Sequence, residues 1–199
     1  MILLFLLNAV AITTLMAQEK YNKANEANGL KAGDMAYQFT ALDQNNNNYE
    51  LSEALKKGPV VVIFYRGQWC PVCSKHLTML QDSLESIYSK GASIVAVSPE
   101  KPEYLQKTLN KTKASFNLVY DENYTISNAY GVTFRPDSAT RALYNTLLGA
   151  NLKNAHSDDS EQLPIPATYI IGQDGKIKWV HFDPDYKKRA SVADIIKNL

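Results

Sequence analysis

The order of apolar and polar positions predicts a series of strands and helices from residue 58 onward. A continuous apolar, β-branched run, GPVVVIFY at 58–65, is typical of a strand buried on both faces of a sheet. Apolar residues then recur at helical spacing through 71–90, and a second buried run, ASIVAVS at 92–98, follows. A helix that begins near Pro102 and a short strand within 116–122 continue the series. This succession predicts parallel strands joined by right-handed helical crossovers.

Hairpins are predicted at both ends of this series. AYQFTALDQNNNNYELSEAL at 36–55 alternates apolar and polar positions on both sides of the Asn run at 45–48, which is typical of a turn. ATYIIGQDGKIKWVHF at 167–182 predicts two strands around an Asp-Gly turn, and SVADIIKNL at 191–199 predicts a closing helix. We therefore expect an α/β fold with a central mixed β-sheet flanked by helices and an N-terminal hairpin extension.

A polar segment at 133–163 separates the late hairpin from the rest of the pattern. A structureless loop of this length is unusual in a compact domain, and one short helix is predicted near 142–148. We interpret the segment as an insertion that faces solvent. A surface for a partner or a substrate is the alternative.

The composition fits one globular domain at 33–199, because 199 residues with 45% hydrophobic and 21% charged content can bury a full core. The formal net charge is +1, from 21 basic and 20 acidic side chains. Such a balance provides no electrostatic footprint for nucleic acid or for an anionic membrane surface. We expect neither as a partner.

The first 20 residues, MILLFLLNAVAITTLMAQEK, have no charged residue before Glu19. Their apolar run of about 16 residues is too short for a comfortable membrane span. We predict a cleaved signal peptide at 1–17 and a flexible lead-in at 18–32, with an uncleaved anchor as the alternative. The protein would then be exported, periplasmic or secreted, and free of the membrane after cleavage.

The candidate chemistry lies in FYRGQWCPVCSKHL at 64–77, which holds the only two cysteines of the chain, Cys70 and Cys73. A bridge between residues three apart constrains the unfolded chain little, so the pair is better suited to chemistry than to architecture. Cys70 falls where a strand ends and a helix begins, with Pro71 in the favoured first helical position. A helix N-terminus stabilises a thiolate, so we predict that Cys70 is the more exposed and more acidic thiol, and that Cys73 attacks the mixed disulfide.

A zinc site is a weaker interpretation, because structural zinc needs four ligands and the chain has no second C-x-x-C. His76, His156 and His181 are the remaining candidates, and His76 is expected on a helix surface. We expect no metal and no cofactor. Trp69 is expected either to pack against the thiols or to form a docking surface. Pro166 precedes a strand, where a cis peptide bond would hold a turn against the thiols.

The motifs around the cysteines and before the late hairpin resemble those of known proteins. WCPVC after a buried strand, with IPAT before a late hairpin, resembles the thioredoxin fold. The wider frame resembles the AhpC/TSA family of peroxiredoxins over 30–199 apart from the insertion, through LKAGDMAYQFTALDQ, LSEALKKGPVVVIFYRGQWCPVC and AVSPEKPEYLQK. The resemblance implies an enzyme that reduces peroxide through Cys70 and Cys73 and takes electrons from a thioredoxin-type donor.

The chain departs from both patterns. The family motif Pro-x-x-x-Thr-x-x-Cys places the peroxidatic cysteine on Cys73, its Thr on Cys70 and its Pro on Arg66, and the family arginine falls on Pro166. Those family groups stabilise charge on the cleaved O–O bond, and Arg66 is the candidate replacement. The buried carboxylate of thioredoxins falls here on Phe64.

Three hypotheses follow. In a peroxidase, either cysteine is the nucleophile, and Cys73 matches the family position. In a disulfide oxidoreductase that acts on protein disulfides, Cys70 attacks first and Cys73 resolves, with water or His76 as the proton acceptor. In a binding module without catalysis, the fold is a scaffold and the insertion is the working surface.

Overall fold

The computed structural model describes residues 21–199, so the predicted signal peptide at 1–17 lies outside the described residues. Within 21–199, no helix is long and apolar enough to cross a membrane. The described strands are β1 (Thr40–Leu42), β2 (Asn48–Glu50), β3 (Val60–Phe64), β4 (Ser93–Ser98), β5 (Asn117–Tyr120), β6 (Thr133–Phe134), β7 (Leu163–Pro164), β8 (Ala167–Ile171) and β9 (Ile177–Phe182). The described helices are α1 (Leu51–Lys57), α2 (Pro71–Asp82), α3 (Leu84–Tyr88), α4 (Pro102–Thr112), α5 (Thr125–Ala129), α6 (Ser138–Leu147), α7 (Leu152–Ala155) and α8 (Val192–Asn198), with short 3-10 helices at Ala24–Glu26 and Glu122–Tyr124.

A five-stranded mixed sheet forms the centre of the fold, in the order β5-β4-β3-β8-β9. β3 pairs in parallel with β4, and β4 pairs in parallel with β5. β8 runs antiparallel to both β3 and β9. The predicted parallel crossovers, the late hairpin and the mixed sheet are therefore confirmed.

Alternate residues of β3 enter two different cores, because successive side chains of a strand point to opposite faces. Val61 and Ile63 pack on the face covered by α2, α3, α4 and α8. Val60, Val62 and Phe64 pack on the face covered by α1 and α5. The cysteine pair belongs to the first of these cores.

The N-terminal hairpin is confirmed, with β1 and β2 antiparallel. Its tip is fixed by Asp43, whose carboxylate accepts the N–H groups of Asn45 and Asn47 at 2.8 and 2.9 Å. Asn46 adopts a left-handed φ of 61°, which Asn tolerates better than most residues.

The helix predicted over 71–90 and the lead-in both differ from their predictions. The helix predicted over 71–90 is two helices, because Ser83 has non-helical backbone angles between α2 and α3. The lead-in predicted as flexible packs on the domain over its described part. Ala27 is buried there, and the Leu30 N–H donates to the Tyr130 carbonyl at 3.1 Å.

The insertion at 133–163 is folded. β6 pairs with β7 at its base, and α6 lies close to the short helix predicted near 142–148. α6 begins at Ser138 because the Asp137 side chain accepts the Thr140 N–H and caps the helix. The segment also contacts Arg66 and Trp69, which precede the cysteine pair, so the prediction that it faces solvent is wrong for α6.

Candidate active site

The cysteine pair lies at the start of α2, directly behind the central strand. Cys70 is the N-cap residue, with extended backbone angles, and its sulfur accepts the Cys73 N–H at 3.3 Å. Pro71 occupies the first position of the helix, where its missing N–H costs nothing. The unpaired N–H groups of the first helical turn therefore face the Cys70 sulfur.

Cys70 and Cys73 form a disulfide with a Cα–Cα distance of 5.2 Å. The prediction that Cys70 is the more exposed thiol is wrong, because the two residues are 0% and 1% exposed. Side chains from distant parts of the chain cover both sulfurs. A substrate must therefore displace part of this cover to reach them.

Arg66 lies beside the first sulfur. Its Nη2 is 3.3 Å from Cys70 Sγ, and its Nη1 donates to the Tyr144 hydroxyl at 3.0 Å. The guanidinium is 3.9 Å from the ring centre of Tyr186 and 5.1 Å from that of Trp69, which are cation–π distances. Aromatic rings thus hold Arg66 against the sulfur without a carboxylate.

Trp69 packs inside the site and does not form a docking surface. It is 4% exposed, and its ring lies 4.7 Å from that of Tyr144. Tyr144 is on α6, so a side chain of the insertion covers Trp69.

Arg189 provides a second guanidinium that sequence reasoning missed. Its Nη2 is 3.3 Å from Cys73 Sγ, and its Nε donates to the Tyr186 carbonyl at 2.8 Å. It lies in the segment between β9 and α8, 116 residues from Cys73 in sequence. The only signal was a basic run, KKR at 187–189, and nothing in its spacing pointed to the cysteines.

Both arginines are partly desolvated. Burial lowers the pKa of Arg66, and the nearby Tyr144 opposes the shift. Burial, followed by repulsion from Arg66, lowers the pKa of Arg189 to about 10. Neither forms an ion pair with a carboxylate within 21–199. The site therefore keeps two positive charges at neutral pH that are available to a thiolate.

The cis bond expected before Pro166 is not found, since no peptide bond among the described residues is cis. Other contacts hold the backbone before Pro166 in place. β7 pairs with β6, and the Ile165 N–H donates to the Val132 carbonyl at 2.7 Å. Pro166 nevertheless lies at the site, because it lines a cavity together with Arg66.

His76 is buried and not on the helix surface as predicted. It is 5% exposed, and its Nε2 lies 3.0 Å from the Ala190 carbonyl, to which it donates. Burial, with a smaller contribution from Arg189, lowers the pKa of His76 to about 4. The neutral ring therefore ties α2 to the segment that carries Arg189. Within 21–199 no group of three or more His, Cys, Asp or Glu is arranged to hold a metal ion.

A cavity of about 810 Å³ opens beside Arg66. Its walls come from the site, the insertion and the described part of the lead-in: Tyr21, Lys23, Ala24, Arg66, Phe134, Arg135, Pro136, Asp137, Ser138, Thr140, Arg141, Tyr144, Pro166, Pro184 and Tyr186. The insertion thus shapes the approach to the cysteine pair.

The fold and the site define the class of protein. A disulfide that caps a helix directly after the central strand of a mixed sheet is the arrangement of a thioredoxin-fold thiol–disulfide oxidoreductase. Comparison with known proteins narrows the class. The AhpC/TSA family model matches residues 32–180, and the chain belongs to the AhpC/TSA family. It is an oxidoreductase of the peroxiredoxin class, as the sequence motifs predicted.

Individual relatives agree with this assignment. The chain is 30% identical to Peroxiredoxin Bcp of Escherichia coli K12 over 156 residues, which cover 78% of this chain and 88% of the relative. It is 33% identical to the chloroplastic Peroxiredoxin Q of Gentiana triflora over 77% of this chain and 61% of the relative. Peroxidoxin BcpB of Mycobacterium tuberculosis has the same fold, with a TM-score of 0.65 at 22% identity over 85% of this chain and 94% of that one. The thioredoxin domain of a thiol-disulfide oxidoreductase from Bacteroides vulgatus matches with a TM-score of 0.55 at 20% identity, over 79% and 93%.

Proposed function

We propose that the protein reduces peroxides through Cys70 and Cys73, and that a thioredoxin-type dithiol reduces the resulting disulfide. The observation that carries the proposal is one guanidinium 3.3 Å from each sulfur, Arg66 at Cys70 and Arg189 at Cys73. Preorganised positive groups stabilise the charge that develops as a peroxide bond breaks. The two arginines would stabilise the developing charge in place of the Thr and the Arg of the family, whose positions hold Cys70 and Pro166 here.

The reaction follows the ordinary chemistry of a thiol pair. A thiolate attacks one oxygen of the hydroperoxide, the S–O bond forms as the O–O bond breaks, and the alcohol leaves with a proton. The second thiolate attacks the sulfenic sulfur, which forms the disulfide and releases water after protonation. The donor dithiol then returns two electrons to the disulfide by thiol exchange.

Cys70 is the attacking thiolate in this proposal. Its sulfur faces two N–H donors, Arg66 Nη2 and the Cys73 backbone, whereas the Cys73 sulfur faces Arg189 alone. Hydrogen bonds to the charged form lower a thiol pKa, so Cys70 ionises first. The family alignment gives the opposite assignment.

Serine substitutions distinguish the two assignments. Cys73→Ser should leave a sulfenic acid on Cys70 that a dimedone-type reagent traps, because no second thiol remains to condense with it. Cys70→Ser should react with peroxide at least tenfold more slowly, for the reason that its remaining thiol has fewer donors. Equal or faster trapping in Cys70→Ser would make Cys73 the attacking residue.

Rapid mixing of the reduced protein with hydrogen peroxide, followed by Trp69 fluorescence and thiol counting, tests the arginines. Arg66→Gln and Arg189→Gln should each slow oxidation by about 10- to 100-fold, because each removes a positive donor at a reacting sulfur. Lys75→Gln is the control, since it removes an exposed cation from α2, the helix that begins at the cysteine pair. Wild-type rates in both arginine variants would contradict the proposal.

Disulfide exchange on protein substrates is the second candidate. It is favoured by the Cys-x-x-Cys disulfide itself, which caps α2 directly after a buried Trp69. The two candidates differ in rate. If the wild-type protein reacts with peroxide no faster than a free thiol of matched pKa, while it reduces a disulfide-bonded model protein rapidly, exchange is the function.

We further propose that the protein acts outside the cytosol, with 1–17 as a cleaved signal peptide. The apolar N-terminal sequence supports this, and the donor would then be a thioredoxin-type protein of the same compartment. N-terminal sequencing of the mature chain should begin at Gln18. A chain recovered with Met1 in the cytosolic fraction would contradict export.

A further inference from the structure

Glu100 is a buried carboxyl that the reaction above does not use. It follows β4 and is 0% exposed. Its Oε2 accepts the N–H of Gln68, two residues before Cys70, at 2.8 Å. Over residues 21–199 it forms no ion pair. An isolated buried carboxyl is costly as an anion. Its position against the loop at 65–70, which joins β3 to α2, therefore requires an explanation.

The second oxygen of Glu100 lies in a cluster of buried polar atoms behind the loop. Glu100 Oε1, Trp69 Nε1 and the Tyr65 hydroxyl have no hydrogen-bond partner among the described residues. A Cβ on Gly67 would clash with Glu100 Oε1 and lie 2.7 Å from Trp69 Nε1, so both side chains converge on this glycine. The carboxyl is therefore packed against the turn that carries the first sulfur.

The groups around Glu100 favour its neutral form at neutral pH. Burial raises its pKa to about 8, opposed in part by the Gln68 N–H and by the ammonium of Lys107 on α4. Tyr65, directly after β3, also faces it, and burial raises the pKa of that phenol well above its usual range. Lys111, also on α4, donates to the Gln68 carbonyl at 3.2 Å.

We propose that Glu100 is a positioning residue of the Cys70–Cys73 couple. At mildly alkaline pH, where its carboxyl is partly ionised in the disulfide form, it takes up a proton when the disulfide is reduced and releases it when the disulfide forms again. Reduction places negative charge on the sulfurs, and a carboxylate behind the same turn would repel it. The carboxyl therefore holds its proton more tightly in the reduced protein. The inference rests on the proposed function only because it requires the two sulfurs to alternate between a disulfide and a reduced pair.

The protons balance. A donor dithiol passes two electrons to the disulfide, giving two enzyme thiolates, a donor disulfide and two protons, one of which Glu100 takes up. Oxidation by a hydroperoxide consumes two thiolates and two protons and yields the disulfide, an alcohol and water. Glu100 releases one of these two protons.

The magnitude follows from distance. Glu100 contacts Gln68, two residues from Cys70, so a carboxylate there lies within about 10 Å of the sulfur. Two charges about 10 Å apart at an effective dielectric constant of about 20 shift each other's pKa by about one unit. Deprotonation of Glu100 should therefore make reduction of the disulfide about tenfold less favourable.

The test measures the equilibrium constant for reduction of the Cys70–Cys73 disulfide by glutathione. Thiol alkylation at a series of pH values from about pH 6 to about pH 10 gives the fraction reduced. The ratio of the wild-type equilibrium constant to that of Glu100→Gln should be constant below about pH 7 and fall about tenfold by about pH 10. The titration of glutathione cancels in this ratio. Glu103→Gln is the matched control, because Glu103 is an exposed carboxylate on α4, and its ratio to wild type should not change with pH.

A ratio for Glu100→Gln that is flat from pH 6 to pH 10 would overturn the inference. If that variant does not fold, the wild-type protein alone decides. Its reduced-minus-oxidised infrared difference at about pH 8 should gain a protonated carboxyl band, and absence of the gain contradicts the proposal. Slow peroxide reduction would overturn the proposed function and leave this equilibrium unchanged, so the two failures are distinguishable.

Discussion

At the residue scale, the site depends on side chains that do not neighbour each other in sequence. Arg66 is four residues before Cys70, but Arg189 reaches Cys73 from 116 residues away. The Cys-x-x-Cys spacing and the proline at the helix start were sufficient to predict the thiol pair. No local pattern predicts a guanidinium delivered by tertiary packing.

Gly67 shows how tightly the residues behind the cysteines are packed. Its φ is 149°, and a Cβ there would collide with Glu100 and Trp69. Gly67→Ala should lower the free energy of unfolding by about 2–4 kcal/mol, the sum of an unfavourable backbone conformation and a clash. Gly33→Ala is the control, because Gly33 has a φ of 96° with no atom within 4 Å of the added Cβ. It should cost only about 1–2 kcal/mol in urea unfolding, and equal losses would contradict the clash.

At the element scale, α6 is the part of the insertion that changes the interpretation of the site. The sequence predicted a short helix there, and the structure places Tyr144 of that helix over Trp69 and Arg66. Its cap at Asp137 was readable from sequence in principle. Its docking on the cysteine loop was not, because contacts between an insertion and the body of a fold leave no periodic signal.

Tyr144→Phe tests the contribution of this helix. The substitution keeps the ring on Trp69 and removes the 3.0 Å hydrogen bond to Arg66. Peroxide oxidation should slow by about two- to tenfold, the effect of one lost hydrogen bond that positions a charge. Tyr104→Phe is the control, since its hydroxyl bonds to Asn151 away from the sulfurs. Identical rates for both variants would show that Tyr144 contributes only its ring.

At the scale of the whole molecule, the buried ionisable groups make stability depend on pH in two opposite ways. Burial lowers the pKa of His156 to about 4, as it does for His76, so an unfolded chain binds more protons between about pH 6.5 and pH 4. Stability from these rings is complete above about pH 6.5 and is lost on acidification. Glu100, with its raised pKa, has the opposite effect, and its contribution is lost as pH rises from about 4.5 to about 8.

His156→Gln isolates the first effect. The difference in unfolding free energy between wild type and variant should shrink by on the order of 3 kcal/mol as the pH falls from about 7 to about 4. Urea unfolding at a series of pH values measures it. His181→Gln is the matched control, because it removes another histidine ring, which is only half-buried on β9. A pH-independent difference for His156→Gln would contradict a neutral buried ring.

The sequence by itself determined the five strands of the central sheet, the crossovers, both hairpins and the thiol pair, because burial on a sheet, helical spacing and turn chemistry act between near neighbours in the chain. The sequence motifs also indicated the AhpC/TSA family. Only the tertiary structure decided that both sulfurs are buried, that His76 is internal, that the bond before Pro166 is trans, and that a second arginine serves the site. These outcomes depend on which surfaces pack together, and packing joins residues that are far apart in sequence.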